Sequence, residues 1–164
     1  MANLPYNIGT RLVLDFLHML HKPKKMTLML QKEVVQRMIA SPGGQHYGRL
    51  SIIVQWLARA KVLFDVPARA FKPEPKVTSS VIEIIPRSWP LAEAEPDLLE
   101  LVTQTAFGQR RKMMRVSLKT LHPDIVSLLQ KAGVPPTRRP EEVTIQEFCS
   151  IARELSSCSE TRTI

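Results

Sequence analysis

Three prolines, Pro67, Pro73 and Pro75, fall within nine residues, and they restrict the fold more than any other stretch. A proline brings no N–H to a sheet ladder, so Pro67 to Pro75 must be a loop and not part of a central strand. Runs suited to strands flank it, Lys61 to Val66 before and Val77 to Ile85 after, the second closed by Pro86. Their β-branched content predicts two strands joined by a long proline-rich connection.

The chain ahead of these strands alternates helix and strand. Thr10 can cap a helix running to about Leu20, with Leu12, Val13, Phe16, Leu17 and Leu20 at helical spacing. Lys22-Pro23-Lys24-Lys25 breaks it, and Met26 to Leu30 is a short apolar run suited to a buried strand. Gln31 to Ala40 reads as a helix with Val34, Val35, Met38 and Ile39 on one side. Ser41-Pro42-Gly43-Gly44 is a turn cluster. A further apolar-rich helix covers Leu50 to Ala60. Short strands alternating with helices predict an α/β layer.

Arg87 to Pro96 holds two prolines, Trp89 and several acids, and reads as a linker. Beyond it the pattern is purely helical: Asp97 to Phe107, Gln109 to Leu121, Pro123 to Ala132 and Ile145 to Leu155. Gly133 followed by Pro135-Pro136 is a helix stop. The Ser- and Thr-rich tail after Leu155 is expected to fray. The chain thus divides into an α/β part, residues 1–88, and an all-α part, residues 89–164.

Charge narrows the partner. Lysine and arginine total 23 against 15 acids, a formal net charge of +8, which points to a polyanion. Cys149 and Cys158 lie close in sequence without a metal-ligand pattern, so a reduced, cytoplasmic protein is expected and not a disulfide scaffold. No apolar run approaches the ~18 residues of a membrane span, and no membrane partner is expected.

Three groups of residues can carry chemistry. Asn3-Leu4-Pro5-Tyr6 offers an amide, carbonyls freed from helix or strand duty around a proline, and a flat phenol. Such a set can grip a planar ligand by accepting from an amine and stacking on its face, although a plain turn before a helix reads as well from these residues alone. Phe71 heads the proline-rich loop and either anchors that loop or stacks on a base. Arg110, Arg111, Lys112 and Arg115, with Lys119 a turn on, form a basic helix without interleaved acids. At i, i+4 spacing, 111, 115 and 119 share one face and can track phosphates, with Arg138 and Arg139 extending the surface. His18 and His21 lack a third ligand, and Ser79-Ser80 lacks a neighbouring base.

Asn3-Leu4-Pro5-Tyr6 and Phe71-Lys72-Pro73-Glu74-Pro75-Lys76-Val77-Thr78-Ser79-Ser80-Val81 together resemble motifs of the rRNA adenine dimethyltransferases, the KsgA/RsmA family. The resemblance extends to Gln31-Lys32-Glu33-Val34, Tyr47-Gly48-Arg49-Leu50-Ser51 and Phe107-Gly108-Gln109-Arg110-Arg111-Lys112. It implies the second half of a Rossmann-like class I methyltransferase sheet followed by a small all-α domain. It also implies S-adenosylmethionine as methyl donor, with ribosomal RNA and the small ribosomal subunit as partners. In that family the Asn side chain and the Pro carbonyl accept from the target adenine's exocyclic amine. This turns the nitrogen lone pair out of conjugation and toward the methyl group. Phe71 then faces Tyr6 across the extruded base, and Asn3 is the donor contact that carries over.

The family's first half, with its glycine loop, does not match here, and none of the six glycines forms Gly-x-Gly. The donor site in this chain is therefore expected to be incomplete. Two readings remain: the carboxyl-terminal portion of an rRNA adenine N6,N6-dimethyltransferase, or a non-catalytic RNA- and ribosome-binding module. With the first strands cut away, Met26 to Leu30 or the stub before Asn3 becomes a sheet edge open to self-association.

Overall fold

The computed structural model describes residues 2–3, 9–19, 21, 23–73 and 75–160. Within them β1 (Ala2–Asn3), β2 (Met26–Gln31), β3 (Ala58–Val66) and β4 (Ser79–Pro86) form one sheet in the order β1-β2-β4-β3. In β2 the alternation is plain, with Met26, Leu28 and Leu30 buried and the residues between them half-buried. β1 runs parallel to β2, with Asn3 opposite Met29. β4 is antiparallel to both β2 and β3, placing Gln31 opposite Ser79 and Ser79 opposite Val66. β1, β2 and β3 therefore share a direction, and their carboxyl ends lie along one edge of the sheet.

The helices are α1 (Gly9–His18), α2 (Lys32–Ile39), α3 (Arg49–Leu57), α4 (Pro96–Gly108), α5 (Met114–Ser117), α6 (Ile125–Lys131) and α7 (Ile145–Glu160). α1 begins hard against β2, since a Cβ at Gly9 would stand 2.4 Å from Leu30 Cδ2. A residue without a side chain suits that approach. α3 is apolar almost all round, with every residue from Leu50 to Leu57 except Gln55 buried, the mark of a helix packed on several sides. It meets α1, α2 and β3 on one hand and α4 and α7 on the other. Trp56 is buried and its Nε1 donates to the Ala92 carbonyl at 2.7 Å.

Several boundaries move. The helix read over Leu50 to Ala60 stops at Leu57, because Ala58 turns extended and Ala58, Arg59 and Ala60 pair with Pro86, Ile85 and Ile84. Sheet pairing overrides helical propensity at this point. The helix read over Gln109 to Leu121 shrinks to Met114–Ser117. There the Met114 N–H donates to the Arg138 carbonyl and the Arg115 N–H to the Pro136 carbonyl, so these amides serve a neighbouring loop and not a preceding helical turn. α7 continues through Glu160, past the expected fraying point at Leu155.

The segment read as a linker has no regular structure but is tied down. Arg87 N–H donates to the Leu57 carbonyl at 2.8 Å, Leu91 N–H to Trp56 at 2.8 Å, and Arg153 reaches the Glu93 carbonyl. One apolar core runs from β2 and β4 through α3 into α4, α6 and α7. Aromatic rings join its parts: Phe107 of α4 lies edge-on to Tyr47 at 6.1 Å and tilted against Phe148 of α7 at 5.9 Å. The Tyr47 hydroxyl donates to the Val143 carbonyl at 2.9 Å.

Candidate nucleic-acid and base-binding site

In open α/β sheets ligands gather beyond the carboxyl ends of the parallel strands. Asn3 ends β1 at that edge, Gln31 ends β2, and Val66 ends β3 and opens the proline-rich loop. That loop returns to β4 at Ser79, so it spans the same edge. Asn3 and Phe71, 68 positions apart in sequence, are thus brought to one side of the sheet by strand direction alone. The side chain of Asn3, together with Leu4, Pro5 and Tyr6, lies outside the described residues.

The loop is braced from beneath. It opens with a 3₁₀ turn, Ala68–Ala70, in which the Phe71 N–H donates to the Ala68 carbonyl at 3.1 Å. Phe71 follows it, half-buried. At the loop's two feet, Asp65 accepts from Lys32 Nζ at 2.6 Å and from Ser80 Oγ at 2.6 Å. The Lys32 N–H also donates to the Thr78 carbonyl at 3.0 Å. Lys32 first, then Ser80, holds the Asp65 carboxyl below the usual carboxylate range. Nothing in the sequence singled out this trio. Gln31-Lys32-Glu33-Val34 registered only as a motif, and Asp65 and Ser80 become neighbours through a strand register that spacing does not reveal.

The basic group divides. Arg110 is pinned: its Nε donates to Glu141 Oε2 at 2.8 Å, and its Nη2 to the Gly44 and Gln45 carbonyls. Arg138 is likewise engaged, with Glu147 Oε1 at 2.5 Å and with the Glu142 carbonyl. Both guanidinium groups thus make bonds within the protein, Arg110 through Nε and Nη2 and Arg138 through Nη1 and Nη2. Arg111 and Lys112 are exposed in the turn before α5, Arg115 is exposed on α5, and Lys119 is exposed in the turn after it. The single helical face expected for 111, 115 and 119 therefore does not form. Its place is taken by a shallow concave surface whose lining includes Arg111, Lys112, Arg115, Thr137, Arg139 and one acid, Glu142. Positive charge still converges there, carried by two loops and a single helical turn.

Among the described residues no three of His, Cys, Asp and Glu stand where they could share a metal ion. Both cysteines are free thiols, and burial pushes Cys149 up to about 11. No helix of the described residues is long and apolar enough to cross a membrane.

Strand order, with one antiparallel strand among parallel ones and helices packed on the sheet, is a Rossmann-like arrangement. A dimethyladenosine transferase from Plasmodium falciparum superposes with a TM-score of 0.81 at 22% identity, covering 96% of this chain and 66% of that one. The 23S rRNA methyltransferase ErmE gives 0.62 at 23% identity, covering 94% and 63%. The chain belongs to the ribosomal RNA adenine dimethylase family, whose model matches residues 1–157. It is 50% identical over 157 residues to the ribosomal RNA small subunit methyltransferase A of Paramagnetospirillum magneticum, covering 96% of this chain and 56% of that protein. With the protein of the same name from Bartonella tribocorum it shares 53% over 155 residues, covering 93% and 55%. The chain spans about half the length of the curated relatives it matches.

Proposed function

We propose that this chain is the target-base and RNA-binding portion of an S-adenosylmethionine-dependent adenine N6,N6-dimethyltransferase acting on small-subunit ribosomal RNA. The observation that carries the reading is the shared sheet edge, which joins Asn3 to the loop bearing Phe71. Residues 1–88 handle the base and 89–164, as a small all-α unit, hold the RNA. A cytoplasmic location accompanies a ribosomal partner.

In this reading the Asn3 amide oxygen and the Pro5 carbonyl accept from the adenine amine. An amine conjugated to a purine is a poor nucleophile, and two acceptors favour the geometry in which its lone pair leaves the ring. Tyr6 and Phe71 hold the extruded base by its faces, a contribution of roughly 1–3 kcal/mol per stacked base. No strong general base is needed, because positioning supplies much of the rate. S-adenosylmethionine, when bound, supplies a methyl group on a positively charged sulfur. Asn3, at the carboxyl end of a parallel strand, fits a contact to it, but a Gly-x-Gly loop is not among this chain's residues. That observation favours a second reading, a module that binds RNA and ribosome without holding the donor.

Arg111, Lys112, Arg115 and Lys119 contact RNA phosphates in either reading, since arginine's fork suits phosphate and the surface has no aromatic to read a base. Among the described residues β1 stands at one end of the strand order and pairs with β2 alone, and self-association through its other side accompanies the isolated chain. Binding of small-subunit rRNA fragments, measured at several salt concentrations with light scattering of the free chain, tests these statements. Salt-independent binding and a clean monomer at high concentration contradict them.

A further inference from the structure

At the opposite edge of the sheet, where β3 begins and β4 ends, stands Trp89, 84% exposed. It forms a groove with Arg59, Ile85, Pro86, Arg87 and Ser88. Single apolar residues on a surface are ordinary, but an indole this open, sharing one groove with two arginines, is a particular combination. Arg59 lies opposite Ile85 in the ladder and Arg87 follows Pro86 directly, so backbone register places the two cations together. Among the described residues no carboxylate pairs with either. The buried acid of β4, Glu83, is already held by Lys25 and Lys61. Arg87 spends Nε on the Gln55 carbonyl at 3.2 Å, which leaves its two terminal amino groups for a ligand. Burial, and then the neighbouring Arg59, lowers the Arg87 pKa, as expected of cations crowded without a counter-charge.

Unpaired, converging arginines want an anion with several acceptors, and a bare indole face wants a flat ring. Both demands are met by a nucleotide of single-stranded RNA. We propose that Trp89, Arg59 and Arg87 form a second RNA contact, in which one base stacks on Trp89 and its flanking phosphates meet the two arginines. The site differs from the basic surface around Arg111, which has no aromatic ring. It also lies a full strand length, roughly 25–30 Å for nine residues, from the edge that carries Asn3 and Phe71. RNA held there is anchored away from the reacting base. The proposal takes its partner from the RNA-binding reading above.

The chain carries its own reporter, because its two tryptophans differ so sharply: Trp56 is 2% exposed and Trp89 is open. A labelled oligoribonucleotide of about ten nucleotides, within the range that stacking surfaces occupy, is titrated while label anisotropy and tryptophan emission are read together. The expected result is binding with quenching of the exposed tryptophan and its protection from acrylamide. Trp89→Ala weakens binding about 5- to 150-fold, the range that base stacking spans, leaves the salt slope alone, and is largely rescued by Trp89→Phe. Arg59→Gln and Arg87→Gln each reduce the salt slope by about 0.7. Binding seen by anisotropy without any change at Trp89 overturns this contact and leaves the RNA reading standing. No binding in either channel overturns both. A Trp89 that acrylamide cannot reach in the free chain also overturns the proposal, since a protein surface then occupies the groove.

Discussion

The Arg110 guanidinium joins Glu141 at 2.8 Å while reaching the Gln45 carbonyl at 2.9 Å, so it fastens the turn after α4 to the loop between α2 and α3. The same loop is held from the other side, where the Gly43 N–H donates to the Glu141 carbonyl at 2.7 Å. Arg110 therefore ties two loops together within a basic sequence. Arg110→Ala is expected to cost about 1–3 kcal/mol of stability, typical of lost hydrogen bonds to a charged group, and to leave the salt dependence of RNA binding unchanged. Arg111→Ala with Arg115→Ala is expected to do the reverse, flattening the slope of log affinity against log salt by about 1.4–1.8 units for the pair. Denaturant unfolding and salt-dependent binding curves for both variants check this.

Asp65 ties Lys32 and Ser80 beneath the loop that bears Phe71. Asp65→Ala is expected to speed amide exchange across residues 67–78 and to weaken capture of an extruded adenine. Adding it to Phe71→Ala is expected to cause little further loss of base binding, because both changes act through one loop. Full additivity in that double variant would separate the brace from the base.

In the proposed reading the chain offers Asn3 to the methyl donor, and its six glycines form no Gly-x-Gly loop. Calorimetric titration of S-adenosylmethionine into it is expected to give no one-site isotherm at micromolar concentrations. A clear isotherm would mean that other residues hold the donor.

Glu83 stands buried on β4, and Lys25 first, then Lys61, lowers its pKa from the ordinary 4.5. A carboxyl whose folded pKa is depressed stabilises fully above its unfolded pKa, and loses that contribution as pH falls through the lower folded value. Thermal midpoints are expected to hold from neutrality to about pH 5 and drop below 4.5. In Glu83→Gln the neutral-pH midpoint is expected to be lower and the acid drop smaller.

Much of the fold could be read from proline placement and periodicity. Pro67 to Pro75 marked the loop, and Met26, Leu28 and Leu30 marked β2, because steric rules and burial act locally there. The helix expected over Gln109 to Leu121 misled for the opposite reason, since Met114 and Arg115 give their amides to the distant residues Arg138 and Pro136. The site shows the same division. Asn3 and Phe71 were visible as residue types within motifs, and the shared edge required strand direction. Asp65 with Ser80, and Arg59 beside Arg87 and Trp89, depend on the β3–β4 register, which no spacing in the chain encodes.

The central claim is that these residues present a small-subunit rRNA adenine for methyl transfer. Its most direct test joins the portion of the Paramagnetospirillum magneticum relative that lies outside the matched region to this chain. Transfer of labelled methyl from S-adenosylmethionine to unmodified small-subunit rRNA is then followed by nucleoside analysis. N6,N6-dimethyladenosine is expected from the wild-type junction, with kcat/KM reduced about 5- to 150-fold by Tyr6→Ala or Phe71→Ala. A folded chimera that binds the donor yet methylates no adenine, or is indifferent to both substitutions, would contradict the account.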